Sequence, residues 1–292
     1  MFASALQSCQ TQVEIPDGAV YPILFGSTET RAVADLDDLK TNGFKVYAYF
    51  QGNVGGSASF ANNVKHAVVE GLDVWSFETP EYWIPNTNYL FKAVYPGRIG
   101  NVDVDNDSSE PTFTISDLDI SEQQDVMVAT ATASVAENAT APASGSVVNL
   151  QFQHLLANVM IKIKSQIDGV AITSVKLGNL DNNSTYNGST WVISGNTTFI
   201  EYDTPTPLTK GDDYVDVTGG GILVIPANSN GKTLTIEANK TYNLTIPNGD
   251  WEIGKRYTYT IEIKQDDIVF VDGAPYVEEW DSENATGSVI IK

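Results

Sequence analysis

VVNLQFQHLLANVMIKIK, residues 147–164, decides how the chain is read. From Val148 the apolar side chains fall on even positions, Val148, Leu150 and Phe152, with Asn149, Gln151 and Gln153 between them. Successive side chains of a strand point to opposite faces, so this alternation marks a strand with one face buried. Then the phase slips. After His154, Leu155 and Leu156 the apolar set continues on odd positions, Ala157, Val159, Ile161 and Ile163, while Lys162 and Lys164 face the other way. A strand that first covers one sheet and then bends to join another needs a bulge or corner, which re-aims every later side chain. The expectation is one long strand turning a corner at His154.

The same alternation recurs along the chain. GFKVYAYF (43–50), NYLFKAVYP (88–96), the stretch from Val126 to Thr132, GGILVIP (220–226), KTLTIEA (232–238), TYNLTIP (241–247) and KRYTYTIEIK (255–264) carry it with β-branched and aromatic residues. Turn residues punctuate these runs in DNNS (181–184), NSNG (228–231), PNGD (247–250) and DGAP (272–275). Helical spacing is confined to one turn between Leu36 and Asn42. The class is all-β. Short strands with frequent turns favour sandwiches, and the length suits two in tandem. Residues 131–146, poor in bulky apolar side chains, read as a loop or linker. The division that follows is a flexible N-terminus over 1–19, a first sandwich over 20–133, a linker over 134–146 and a second sandwich over 147–292.

Composition narrows the function. In 292 residues, 37 Asp and Glu stand against 16 Lys and Arg, a net charge of -21. Such a chain repels polyanions, so nucleic acid is excluded as a partner. One cysteine rules out an internal disulfide or a Cys-based metal cluster. That residue, Cys9, ends the stretch LQSC after Phe2, Ala3 and Ala5, which looks like the end of a bacterial lipoprotein signal with Cys9 as the acylated residue. The alternative is an ordinary thiol in a flexible terminus.

No catalytic constellation is present in the sequence. Asp103, Asp105 and Asp107 begin like a calcium loop, but Ser108 stands where the glycine is needed and Thr114 where the bidentate Glu is needed. No metal or cofactor is expected. His66 and His154, the two histidines, read as packing residues. Trp75, Phe77, Tyr82 and Trp83 suit either a sandwich core or an exposed shelf for sugars, with core the better reading. Trp191, after the polar loop DNNSTYNGST, is the better candidate for an exposed ligand contact.

FQHLLANVMIKIK resembles the central motif of the Bacteroidetes fimbrillin family, the type V pilins and their Mfa-like relatives. So do TRA (30–32) followed by LKTNGFKVYAYF, VWSFETPEYWIP (74–85), NYLFKAVYPG (88–97), WEIGKRYTYTIEI (251–263) and VEEW (277–280). Where the family usually carries Pro in W-x-P-G-K, this chain has Ile253. The resemblance implies two transthyretin-like Greek-key β-sandwiches, export as an outer-membrane lipoprotein, and a structural or adhesive role among other pilin subunits at the cell surface. It also implies donor-strand exchange: an Arg-specific protease frees the first strand and a neighbour's strand fills the groove, a form of β-augmentation. The first strand here is VYPILFG, with Ile23, Leu24 and Phe25 at its centre, and Arg31 is the candidate cleavage site, or else a solvated loop residue. The candidate donor is GSVIIK, carried by Val289, Ile290 and Ile291, or else an ordinary closing strand. The competing function is a non-polymerising surface lipoprotein that binds a glycan or host protein.

Overall fold

The structure, a computed structural model, describes residues 21–27, 39, 41–52, 64–69, 75–77, 79–104, 111–203, 206–211, 213–265, 268–271 and 273–280. The first half contains β1 (Leu24–Ser27), β2 (Phe44–Gly52), β3 (Val64–Val69), β4 (Trp75–Ser76), β5 (Thr87–Tyr95), β6 (Val102–Val104), β7 (Phe113–Leu118), β8 (Met127–Val135) and β9 (Val147–Leu150). A two-residue strand, β10 (Gln153–His154), leads into the second half. There follow β11 (Ala157–Ser165), β12 (Val170–Ile172), β13 (Ser174–Asn182), β14 (Ser184–Tyr186), β15 (Trp191–Val192), β16 (Asn196–Tyr202), β17 (Thr206–Leu208) and β18 (Val215–Asp216). The chain continues through β19 (Ile222–Val224), β20 (Thr233–Glu237), β21 (Thr241–Thr245), β22 (Lys255–Ile263), β23 (Ile268–Phe270) and β24 (Tyr276–Glu279). The all-β class read from the alternation holds.

Two faces of one sheet organise the first half. The five-stranded sheet β10-β8-β5-β2-β3 turns Phe44, Val46, Phe91, Ala93, Met127 and Ala129 toward the small sheet β4-β1-β9, which supplies Phe25, Trp75, Val148 and Leu150. Its opposite face carries Tyr47, Tyr49, Leu90 and Val94 against Phe113, Ile115 and Tyr186. Those three belong to a third sheet, β15-β14-β7-β6, in which β14 from the second half pairs antiparallel with β7 from the first. In the second half, β11 and β22 run parallel over eight residue pairs, from Asn158↔Arg256 to Ser165↔Ile263. Their inward side chains, Val159, Ile161, Ile163, Tyr259 and Ile261, pack in one core with Val175, Leu177, Leu234 and Ile236 of the sheet β16-β13-β20-β21.

The slip at His154 marks a change of core. Val148, Leu150 and Phe152 are buried in the first core, Leu155 in the cluster between the halves, and Leu156, Ala157, Val159, Ile161 and Ile163 in the second core. β9 pairs with β1, β10 with β8, and β11 with β22, so the expected single cornered strand is three strands in three sheets. Val148, Leu150 and Phe152, expected to open the second sandwich, pack instead in the core of the first half. The first two residues of the expected linker, Ser134 and Val135, are the last two of β8. Period-2 alternation records which face is dry; it carries no information about which sheet dries it.

One loop in the second half sets a sharp steric condition. Gly219, Gly220 and Gly221 all have positive φ, 61°, 102° and 113°. The Asp216 carboxylate accepts the Thr218 N–H at 2.8 Å, the Thr218 hydroxyl at 2.7 Å and the Gly220 N–H at 2.7 Å. A Cβ at Gly221 would run into the amide of buried Asn158. Gly221→Ala is expected to lower the unfolding free energy by about 2–3 kcal/mol in urea denaturation, against about 1 kcal/mol for Gly195→Ala. Gly195 also has positive φ, 85°, but faces open space, so equal losses would refute the steric argument.

Candidate functional site: the first strand and its slot

β1 is the middle strand of its sheet. On one side Leu24 and Phe25 lie opposite Ser76 and Trp75 of β4, antiparallel; on the other, Leu24 to Ser27 run parallel to Val147 to Leu150 of β9. The pairing continues upstream. The Ile23 N–H donates to the Glu81 carbonyl at 2.7 Å, and the Trp83 N–H donates to the Tyr21 carbonyl at 3.1 Å. Alternation again decides which side chains enter the core: Ile23 and Phe25 are buried and Leu24 is half-buried. The Phe25 ring meets Phe77 and Phe91 edge-on, with centroids 5.1 Å and 5.5 Å away.

Two hydrogen bonds beside this slot are made without β1. The Trp83 indole donates to the Ser146 carbonyl at 3.2 Å, and the Tyr89 hydroxyl accepts the Ile84 N–H at 2.8 Å. Burial is the main influence on the Tyr89 phenol, and it pushes its pKa up. Trp83 and Tyr89 pack edge-on at 4.8 Å. Without β1, β4 and β9 would each expose a row of unpaired main-chain groups beside an apolar floor of Phe77 and Phe91. That arrangement performs no bond chemistry. It binds an extended segment that offers a backbone ladder and an apolar side chain at every second position.

A second buried constellation lies where the halves meet. His154 Nδ1 lies 2.7 Å from Asp125 Oδ2, both residues are buried, and the Val126 N–H donates to the other Asp125 oxygen at 2.8 Å. The Trp280 indole stacks on the imidazole at 3.8 Å between centroids and 18° between planes. Nearby, the Gln123 amide donates to the Leu223 carbonyl at 3.0 Å and accepts the Leu223 N–H at 2.8 Å. The Asn182 side chain accepts the Ile120 N–H at 2.9 Å and donates to Asp119 at 3.0 Å. The Ser121 N–H, the Ser121 hydroxyl and Asn182 together hold the Asp119 carboxyl below the usual carboxylate range. Residues 119–125 are thus bonded to the second half at several points.

The residues singled out from the sequence fall into three groups. Ile23, Leu24 and Phe25 lie together in the slot. Cys9, Arg31, Val289, Ile290 and Ile291 lie outside the described residues, as do Asp105 and Asp107. Trp191 is not the exposed contact expected of it: it is half-buried, packs near Tyr186 at 5.6 Å and donates its indole N–H to the Leu155 carbonyl at 2.8 Å. The polar loop before it gave no sign that β14 and β15 join a sheet from the other half. Trp75, Phe77 and Trp83 are buried core residues, which removes the sugar-shelf reading, although Tyr82 beside them is 45% exposed. Asp125 and Trp280 were missed by sequence reasoning. The one signal pointing to them was a histidine at the phase slip.

Comparison with known proteins adds the context. A family model described as fimbrillin-like matches residues 30–280. No curated protein matches the chain. Among solved structures, a fimbrial protein from Bacteroides vulgatus is 17% identical, with a TM-score of 0.59, over 88% of this chain and 99% of its own. A candidate cell adhesion protein from Bacteroides ovatus is 14% identical, with a TM-score of 0.58, over 91% of this chain and 100% of its own. A further candidate cell adhesion protein, from Bacteroides uniformis, is 19% identical, with a TM-score of 0.52, over 89% of this chain and 99% of its own.

Proposed function

The chain belongs to the fimbrillin-like family, and from that premise we propose that it is a fimbrial subunit that joins its neighbours by strand exchange at the β1 slot. The observation that carries this reading is the position of β1: a short strand bonded on both edges, between β4 and β9, with Phe25 seated over an apolar floor of Phe77 and Phe91. Arg31 follows Ser27 by four residues in the sequence. A cut there leaves the strand held by non-covalent contacts alone, so that a competing strand can take its place. Val289, Ile290 and Ile291 supply the apolar alternation a donor needs. Acylation at Cys9 would hold the subunit at the outer membrane before processing.

The competing reading, a surface protein that binds a glycan or host protein without polymerising, receives no support from Trp191, whose indole is committed to Leu155. The test is digestion of the purified chain with an Arg-specific protease, followed by intact mass and size-exclusion chromatography. Cleavage after Arg31, loss of the N-terminal segment and growth of multimers are expected. Resistance at Arg31, or cleavage without association, would sink the strand-exchange reading.

A further inference from the structure

The two edges of β8 are unlike. Along one, all nine residues pair with β5, from Met127 opposite Tyr95 to Val135 opposite Thr87. Along the other, among the described residues, Met127 and Val128 alone pair, with His154 and Gln153, because the chain alongside, β9, is committed to β1 in the other sheet. The Leu155 N–H donates to the Val126 carbonyl at 2.9 Å, so Val126 aims its main-chain groups at this second edge. Antiparallel strands reverse that direction at each residue. Thr130, Thr132 and Ser134 therefore present their N–H and C=O groups at the second edge, with no strand opposite them among the described residues.

The surface beside this edge is recessed. A cleft of about 210 Å³ separates Thr132 and Ala133 from Val147 and Asn149. It shares Pro142 and Ser144 with a recess of about 590 Å³ that extends to Asn88. Among the described residues, no Asp, Glu, Lys or Arg lines either space, in a chain whose net charge is -21.

We infer that this edge of β8, unpaired from Thr130 to Ser134 among the described residues, is a second strand-accepting site, and that its ligand is an uncharged, extended segment presented by another protein chain. A row of main-chain donors and acceptors in register is complementary to another backbone. A charged side chain entering the cleft would lose its water and find no partner, and an acidic segment would also meet the field of the whole chain. The site lies across β9 from β1, so it fills without any exchange at the β1 slot, and its test stands or fails apart from that reading.

The experiment uses the full chain, isotopically labelled, and an acetylated, amidated Thr-Val-Thr-Val-Thr peptide, with amide exchange followed by NMR. At a peptide concentration about ten times its Kd, the amides of Thr130, Thr132 and Ser134 should exchange about tenfold more slowly. Those of Ala129, Ala131 and Ala133, which face β5, should change little. Thr132→Pro removes one outward donor while sparing the β5 ladder and should abolish the protection. Ser144→Lys, on an exposed loop, keeps the fold and should weaken binding by bringing charge to the cleft. The inference is overturned if the three amides show no slowing up to the solubility limit of the peptide. It is equally overturned if a peptide with Lys at its centre protects as well, or if slowing appears at β1 and β4 instead.

Discussion

Phe25→Ala is expected to lower the unfolding free energy by about 3–5 kcal/mol, the range for deleting a fully buried aromatic side chain. Phe25 is 0% exposed and touches two other aromatic rings edge-on, so truncation leaves a cavity that Phe77 and Phe91 can collapse into only in part. Leu24→Ala, one residue earlier on the half-buried side, should cost about 1 kcal/mol or less. The contrast matters for function. If β1 is exchangeable, the weakened chain should recover stability when a synthetic peptide of residues 20–27 is added in excess, because anything that binds only the folded state stabilises it by mass action. A loss below about 1 kcal/mol for Phe25→Ala would contradict the packing described. Recovery with a peptide carrying Ala for Phe25 as well as with the native peptide would contradict the slot.

The second large effect is expected from Trp280→Ala, again about 3–5 kcal/mol. Trp280 is 0% exposed, belongs to the core of the second half, and covers the imidazole of His154, itself bonded to Asp125 from the first half. Trp280→Phe keeps a stacking ring and should lose less. Because β14 pairs with β7, and Gln123 and Asn182 bond across the same seam, both variants should displace one cooperative transition. Urea unfolding followed by circular dichroism and by tryptophan fluorescence checks this. Two separable steps, with Phe25→Ala moving one and Trp280→Ala the other, would show that the shared sheet does not couple the halves.

Much of the fold was legible in the sequence because alternation is local. The strands around Phe44 to Phe50, Thr87 to Tyr95 and Lys255 to Ile263 stand where period 2 put them, and Trp75, Phe77 and Trp83 went inside as their size and apolarity suggest. The slot residues were legible through resemblance: nothing in VYPILFG by itself distinguishes a central strand from an edge one. What the sequence withheld were pairings between distant residues. Phe25 opposite Val148, Ser184 opposite Leu118, and Trp280 over His154 are each made by segments that carry no mark of their partner. The phase slip was visible, yet its cause was misassigned for the same reason. A change of core and a corner within one core leave the same trace in a string of residues.

The parallel pairing of β1 with β9 also bears on how the chain reaches its folded state. Leu24 finds Val147 only after more than a hundred intervening residues exist, and at a synthesis rate of about 5–20 residues per second that means a wait on the order of 6–25 s. Closing so long a loop costs entropy before any contact offsets it. Through that interval β1 has no lasting partner on its β9 side. The strand proposed to leave the folded subunit is thus one that the nascent chain must already keep idle, exposed and uncommitted until most of the first half has been made.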